Sequence, residues 1–337
     1  MRYNFPITFG MSLLHQLSSA SLTAPNDSSA ILTGHFNQDH TSELRTNLAR
    51  FHTNLDSGKW EDNEKLITQD YYWNYDGNTF IGSTNAIEAL GYVVEGPLRG
   101  LKATDIYNIV DGNRGAILLQ ISGKQAGEFA GLPRQNNGLF NVKEAELLIF
   151  NGAALAHSAL TITPIALMKE QMQGIIEAPV QSEMNMRPNP QTHRAFRQQA
   201  RKTLASLHAN VNSGRVGENG QFAAENVEVE LNNQVRRGRE AFINLVASNA
   251  AGSGAFPKKT FHDAEVLVDG KQGAIEYIWL SNQEQGYPGL SSANGTEVKV
   301  RGMLFMEFND AGLITKATDV YDEGVIVATL SGSTSYL

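Results

Sequence analysis

Leu48, Phe51 and Leu55 recur at spacings of three and four, and so do Leu204, Leu207 and Val211. Each trio predicts an amphipathic helix with one apolar face. The two helices also read alike. "FHTNLDSGK" from Phe51 to Lys59 is echoed by "LHANVNSGR" from Leu207 to Arg215, and His52 and His208 lie 208 − 52 = 156 residues apart. Downstream, "IVDGNRGAILL" (109–119) is answered by "LVDGKQGAIEY" (267–277). Asp-Gly between two apolar runs is a hairpin signal, because glycine accepts the positive φ of the turn. "AIEYIWL" (274–280) puts Ile275, Tyr277 and Trp279 on one face of a strand and Glu276 and Ile278 on the other. "KVRGMLFMEF" (299–308) is apolar at nearly every place, the pattern of a strand covered on both faces.

The correspondences keep their order. "FAGLP" (129–133) faces "YPGLS" (287–291), the turns Asn137-Gly138 and Asn294-Gly295 follow, and Phe150-Asn151 answers Phe308-Asn309. An ordered series at a nearly constant offset marks a duplicated domain. Each copy reads as helix, short strand pair, helix, then three or four longer strands joined by hairpins, about 120 residues in all, the size of an ordinary domain. The expected fold is α+β, a bent antiparallel sheet with helices on one face and a pocket in the concavity. The organisation is a leader over 1–40, a first domain over 41–163, a linker over 164–192 and a second domain over 193–328. In the linker, Pro179, Pro188 and Pro190 favour an extended path, while its first part has the pattern of a helix. Its methionines, among them Met168, Met172, Met184 and Met186, are expected to pack it onto the domains.

Composition narrows the function classes. At 337 residues the chain has room for two cores. A net charge of −8 argues against a nucleic-acid or anionic-membrane surface, and "RRGR" (236–239) is read as an exposed turn. The absence of cysteine excludes disulfides, thiol nucleophiles and Cys-ligated metals. No run reaches the roughly 18 apolar residues of a membrane-spanning helix. The first 25 residues order a basic start, an apolar stretch and small residues as a secretory signal does, but Pro6, His15 and Gln16 interrupt it. A cleaved signal and a disordered leader both remain open, and with them the compartment.

The stretch "FHDAEVLVDGKQGAIEYIWL" with "GYPGL" and "GTEVKVRGMLFMEFNDAGLITKATDVYD" resembles the SnoaL-like polyketide cyclase family of the NTF2-like superfamily. The residues that carry it are Gly286, Gly289, Leu290, Gly295, the Phe308–Gly312 turn and Asp322. The resemblance covers about 195–325 and, more weakly, 42–163. It implies two tandem cone-shaped α+β barrels with curved antiparallel sheets, each with an apolar cavity at its open end. It also implies cofactor-free acid–base chemistry on a hydrophobic small molecule, by Asp and His. An apolar cavity suits such work because it raises a carboxyl pKa toward neutrality.

The candidates fall in the second copy. Asp322 sits at the family's terminal aspartate, and Asp319 three residues earlier points to the opposite face if the strand is regular. One of them is the expected base and His262, beside Asp263, its partner. The corresponding positions of the first copy, Thr161, Pro164 and Thr104, lack these groups. Tyr277, Trp279, Tyr287, Met303 and Phe305 are the expected lining. His52 and His208 are read as structural histidines at a helix–sheet contact. The aromatics of "DYYWNYDG" (70–77) are candidates to line a cavity or to pack a core, and His157 is a lesser polar candidate. "HFNQDH" (35–40) has no further metal ligands at useful spacing, and no phosphate loop or nucleophile motif occurs, so neither metal nor cofactor is expected.

Two functions follow. One is a SnoaL-like enzyme that cyclises or isomerises next to a carbonyl. The other is a non-catalytic ligand-binding or protein-interaction module in which the two domains pair through their sheets. The residues Ala317 and Thr318, where the family often has His-Trp, favour the second.

Overall fold

The computed structural model describes residues 38–332, apart from 137, 180–185, 188, 249–254, 289 and 291–294. The leader up to residue 37, Met184, Pro188 and the turn residues Asn137, Gly289 and Asn294 lie outside the described residues.

The first copy begins with α1 (Gln38–Asp56), followed by a short 3-10 segment (Trp60–Leu66), β1 (Ile67–Tyr75), β2 (Asn78–Ile81) and α2 (Ser83–Glu95). Four long strands complete its sheet: β3 (Lys102–Asp111), β4 (Arg114–Lys124), β5 (Leu139–Phe150) and β6 (Ala156–Ile162). Then comes α3 (Ile165–Met172). The second copy repeats the series: α4 (Arg194–Asn212), a 3-10 segment (Val216–Phe222), β7 (Ala223–Leu231), β8 (Gln234–Arg237), α5 (Arg239–Val246), β9 (Thr260–Asp269), β10 (Gln272–Asn282), β11 (Glu297–Phe308), β12 (Ile314–Tyr321) and α6 (Gly324–Ser331).

The sheets have the same strand order, β2-β1-β6-β5-β4-β3 and β8-β7-β12-β11-β10-β9. Neighbours are antiparallel except for one parallel pair in each, β1 with β6 and β7 with β12. The chain is therefore two tandem α+β units of the same topology. Gly112 (φ +64°) and Gly270 (φ +54°) close the paired Asp-Gly hairpins. The first part of the linker forms α3, as its helical pattern suggested, and its Ile165, Met168 and Met172 are buried in the first core. Met186, farther along, is exposed.

A bulge curves each sheet at the same place. In the first copy Asp105 opposes Leu119 and Tyr107 opposes Leu118, so Ile106 is the extra residue. In the second, Asp263 opposes Tyr277 and Glu265 opposes Glu276. An extra residue bends the strand and re-aims its side chains. Directly opposed residues share a face, so Asp105 and Asp263 point inward with Leu119 and Tyr277.

The outer faces of the two sheets meet. Tyr107, Ile109, Leu118 and Leu147 of the first copy form one buried cluster with Leu267, Met303, Phe305 and Val320 of the second. Tyr107 stacks on Phe305 with ring centroids 6.1 Å apart. The hairpin aspartates lock this pairing reciprocally. Asp269 accepts from the Val110 amide (3.1 Å) and is paired with Arg45. Asp111 accepts from the Val268 amide (2.9 Å) and is paired with Arg201 (2.7 Å). The same patch thus serves both partners, as in a two-fold dimer. Lys143 with Glu230 and Arg114 with Glu265 (2.7 Å) add two further ion pairs across the copies.

Candidate functional site

The first copy holds an apolar cavity of about 130 Å³. Its floor is the inward face of the sheet, with Leu119, Ile121, Leu148 and Ala159, and its wall is the underside of α2, with Ile87, Leu90 and Val93. Tyr71, Trp73 and Tyr75 enter from β1 and Phe80 from β2. The alternation that sends Tyr71, Trp73 and Tyr75 to one face is that of an ordinary strand. Trp73 sits 5.4 Å from both Tyr75 and Phe80, centroid to centroid, and its indole N–H donates to Thr161 Oγ1 at 2.9 Å.

Against this apolar lining stand three ionisable side chains. Glu144 and Glu146, two apart on β5, face inward because they oppose Leu119 and Ile117 across β4. His52 comes from α1. Its Nδ1 lies 2.5 Å from Asp105 Oδ1, and its Nε2 lies 3.6 Å from Glu146 Oε2. The imidazole thus bridges two carboxylates, one delivered by the bulge and one at the cavity. Burial alone would push the His52 pKa down, but Asp105 and then Glu146 outweigh it and raise it well above its ordinary value. The two carboxylates thus favour the protonated ring.

Glu144 differs. Its carboxyl takes a hydrogen bond from Thr163 Oγ1 at 2.5 Å. Burial, followed by repulsion from Glu146, pushes its pKa up to about 8, against the opposing pull of Thr163 and His52. At neutral pH it is mostly a neutral acid, able to donate a hydrogen bond. The site therefore offers a buried donor and a second carboxyl group beside the His52 ring, all facing an apolar space.

The second copy has lost this arrangement. In register, Tyr277 stands for Leu119, Trp279 for Ile121, Gly302 for Glu144 and Leu304 for Glu146. Val227 and Val229 replace Tyr71 and Trp73. Tyr277 and Trp279 fill the interior, each 2% exposed or less. The Tyr277 hydroxyl donates to Asp319 Oδ1 at 2.8 Å, and a Cβ added at Gly302 would overlap that hydroxyl. His208 keeps its bond to Asp263 (2.5 Å) but stacks on Phe261 at 4.3 Å, where no counterpart of Glu146 exists.

The sequence-predicted residues are thus dispersed. Asp319 points inward as one of the two acids should, and burial pushes its pKa up to about 7, but a core tyrosine occupies the space before it. Asp322 lies past the end of β12 and accepts from the Gly324 and Ala166 amides, both at 3.1 Å, tying the second copy to the start of α3. His262 is exposed on β9, and the histidine that meets Asp263 is His208. Met303 and Phe305 face the first copy, because odd positions of β11 point out of the cone. Tyr287 packs on Phe256 (5.9 Å) in the second core, and Phe256 in turn on Trp279 (5.6 Å). His157 is half exposed near Asp70. Arg237 of the basic turn is exposed and pairs with Glu228 at 2.9 Å.

Glu144 and Glu146 were missed by sequence reasoning. The signal was present in "KEAELLIF" (143–150): two acids at period two on a strand otherwise apolar on both faces. Among the described residues no cluster of three or more side chains is arranged to hold a metal, and no helix is long and apolar enough to cross a membrane.

Residues 204–317 match the model of the SnoaL-like domain. Among solved structures, a proposed polyketide cyclase from Xanthomonas campestris pv. campestris is 24% identical, covers 40% of this chain and 98% of its own, and has a TM-score of 0.36. A proposed SnoaL-like polyketide cyclase from Jannaschia sp. CCS1 is 17% identical over 42% of this chain and 98% of its own, with a TM-score of 0.36. A proposed ketosteroid isomerase from Kribbella flavida is 20% identical over 37% of this chain and 79% of its own, with a TM-score of 0.28. The search of curated proteins returned no match.

Proposed function

We propose that in this chain, a tandem duplication of the SnoaL-like, NTF2-like fold, the first copy carries out acid–base chemistry on a small hydrophobic carbonyl compound and the second serves as its scaffold. The working units would be 41–163 and 193–328. The observation that carries the reading is the convergence of Glu144, Glu146 and His52 on an apolar cavity.

In this mechanism Glu146 removes a proton from the carbon next to the carbonyl. The electron pair moves onto the carbonyl oxygen, where neutral Glu144 donates a hydrogen bond. Such a donor, held in a low-dielectric site, stabilises the developing charge far more than water does. The proton then returns from Glu146 to another carbon, giving an isomer, or the enolate carbon attacks a second carbonyl and closes a ring, its C=O π bond opening to an alkoxide that takes the proton from Glu146. His52, fixed by Asp105, holds Glu146 in place and balances its charge. No cofactor enters this scheme.

The test is exchange of α-protons for deuterium in small cyclic ketones, followed by proton NMR. The wild type should exceed the buffer rate, and Glu146→Gln should lower the excess at least 100-fold, the usual weight of a positioned general base. Exchange at the same rate in Glu146→Gln would remove this reading. Turnover that survives Glu144→Gln and Glu146→Gln but falls in Asp319→Asn would return the chemistry to the second copy.

The binding alternative is favoured by a different observation, the filling of the second cone by Tyr277 and Trp279. It describes that copy well. Without its own cavity the second domain contributes a face against which the first is held.

A further inference from the structure

Resting on the acid–base reading above, we infer that the first copy's cavity selects a ligand of one six-membered ring, or an open chain of that bulk, with a single oxygen at the Glu144 end. Three independent features lead there.

The first is capacity. A cavity of about 130 Å³ is close to the roughly 150 Å³ apolar cavity known to admit benzene, and well below the roughly 300 Å³ at which drug-sized pockets begin. A fused second ring exceeds the space that this volume describes.

The second is rigidity. The floor residues Leu119, Ile121 and Leu148 are buried. They cannot recede, because the opposite face of the same strands, with Ala116, Leu118 and Leu147, is packed against the second copy. Close-packed interiors do not yield by a ring's thickness. Duplication therefore fixes the depth of the site, whereas α2 is a wall backed by solvent, with Tyr92 exposed on its outer side.

The third is the second copy itself. There, Tyr277 and Trp279 in place of Leu119 and Ile121 fill the same region once Glu144 is exchanged for Gly302. There a tyrosine ring stands over the floor, beside Val227 and Val229 where the first copy has Tyr71 and Trp73. The Tyr277 hydroxyl also ends on a buried acid, Asp319, which makes phenol a fitting probe for the first copy.

The experiment is isothermal titration calorimetry of the full chain with phenol, 2-naphthol and 2-hydroxyanthracene. Hydrophobic area alone predicts tighter binding with each added ring. The cavity predicts the reverse: phenol binds at one site per chain, 2-naphthol at least 10-fold more weakly, and the three-ring compound not at all. Binding that tightens along the series, or no binding of phenol, overturns the size limit. Leu119→Tyr combined with Glu144→Gly, the second copy's pair, should abolish phenol binding while the melting transition persists; unchanged binding in this variant also overturns it. Leu90→Ala, a helix-compatible change in this solvent-backed wall, should bring 2-naphthol to within a few-fold of phenol, and a ratio that does not move counts against α2 as the limiting wall. The two readings fail separately. Phenol bound with the expected size order but without catalysed α-proton exchange removes the acid–base chemistry alone, whereas exchange that is as fast for bicyclic ketones as for monocyclic ones removes the size limit alone.

Discussion

Glu144 carries a stability signature as well as a chemical role. Its folded pKa, about 8, lies above the ordinary value of 4.5, so between those pH values the folded chain holds a proton that the unfolded chain has released. Its contribution to stability is full below the unfolded pKa and declines as pH rises through the window, by at most about 1.4 kcal/mol per pH unit, to level off above the folded pKa. Glu144→Gln removes this term. Its urea midpoint should fall less than the wild type's between pH 5 and pH 8, by a difference equivalent to roughly 3 kcal/mol. Parallel pH dependences in the two proteins would mean that Glu144 is not buried as a neutral acid. His52, also raised, loses its contribution as pH climbs through its own folded pKa and does so in both proteins, so it cancels from the comparison.

At the scale of the strand, the two cones differ by an exchange of volume between neighbours. Tyr277 reaches from β10 over Gly302 of β11, its hydroxyl on Asp319 of β12, while Leu119 leaves room for Glu144. Gly302→Ala should therefore cost about 1–3 kcal/mol by overpacking, since the ring it strikes is buried and tethered. Adding Tyr277→Leu, which restores the first copy's pairing of a small β10 residue with a side-chained β11 residue, should recover part of that loss. Equal stability of Gly302→Ala and the wild type in urea unfolding would show that the ring can move aside. The elements themselves were legible: the repeat, the Asp-Gly hairpins and the doubly covered strand around Met303 all follow from period and turn chemistry. The site was not, for a reason specific to duplicated chains. Asp319 and Asp322 drew notice because the resemblance is stronger in the second copy, but resemblance in sequence follows the sheet, and whether a cone is empty depends on side-chain volumes at facing positions such as 119 with 144 and 277 with 302. The histidines of α1 and α4 were rightly placed at a helix–sheet contact. What their spacing could not reveal was the bulge at Ile106, which turns Asp105 toward His52, or the Glu146 carboxylate on the far side of that ring.

For the molecule as a whole, the sheet-to-sheet contact joins two domains that are alike in fold and unlike in contents. The reciprocal aspartates are unequal in burial: Asp269 is 4% exposed and Asp111 24%. Removing a charge that holds a buried partner costs more than removing a screened one. Asp269→Asn should thus destabilise the chain by about 2 kcal/mol more than Asp111→Asn, as read from urea midpoints, and an equal cost would place both pairs at the screened surface. The same contact sets the behaviour of the halves. A fragment spanning 38–179 would uncover Tyr107, Ile109, Leu118 and Leu147, which form one apolar face in the intact chain. Contiguous exposed patches of that kind drive association. Because the patch on one copy is the structural equivalent of the patch on the other, the fragment can cover it with a second copy of itself, and it should sediment as a dimer or aggregate. Mixed with a fragment spanning 193–332, it should instead form a one-to-one pair, since only that pairing restores the Arg45–Asp269 and Arg201–Asp111 bridges together with the Tyr107–Phe305 stack. A 38–179 fragment that sediments as a stable monomer with the melting temperature of the intact chain would mean that the second copy contributes nothing to holding the cavity floor in place, and the size limit argued from that floor would fall with it.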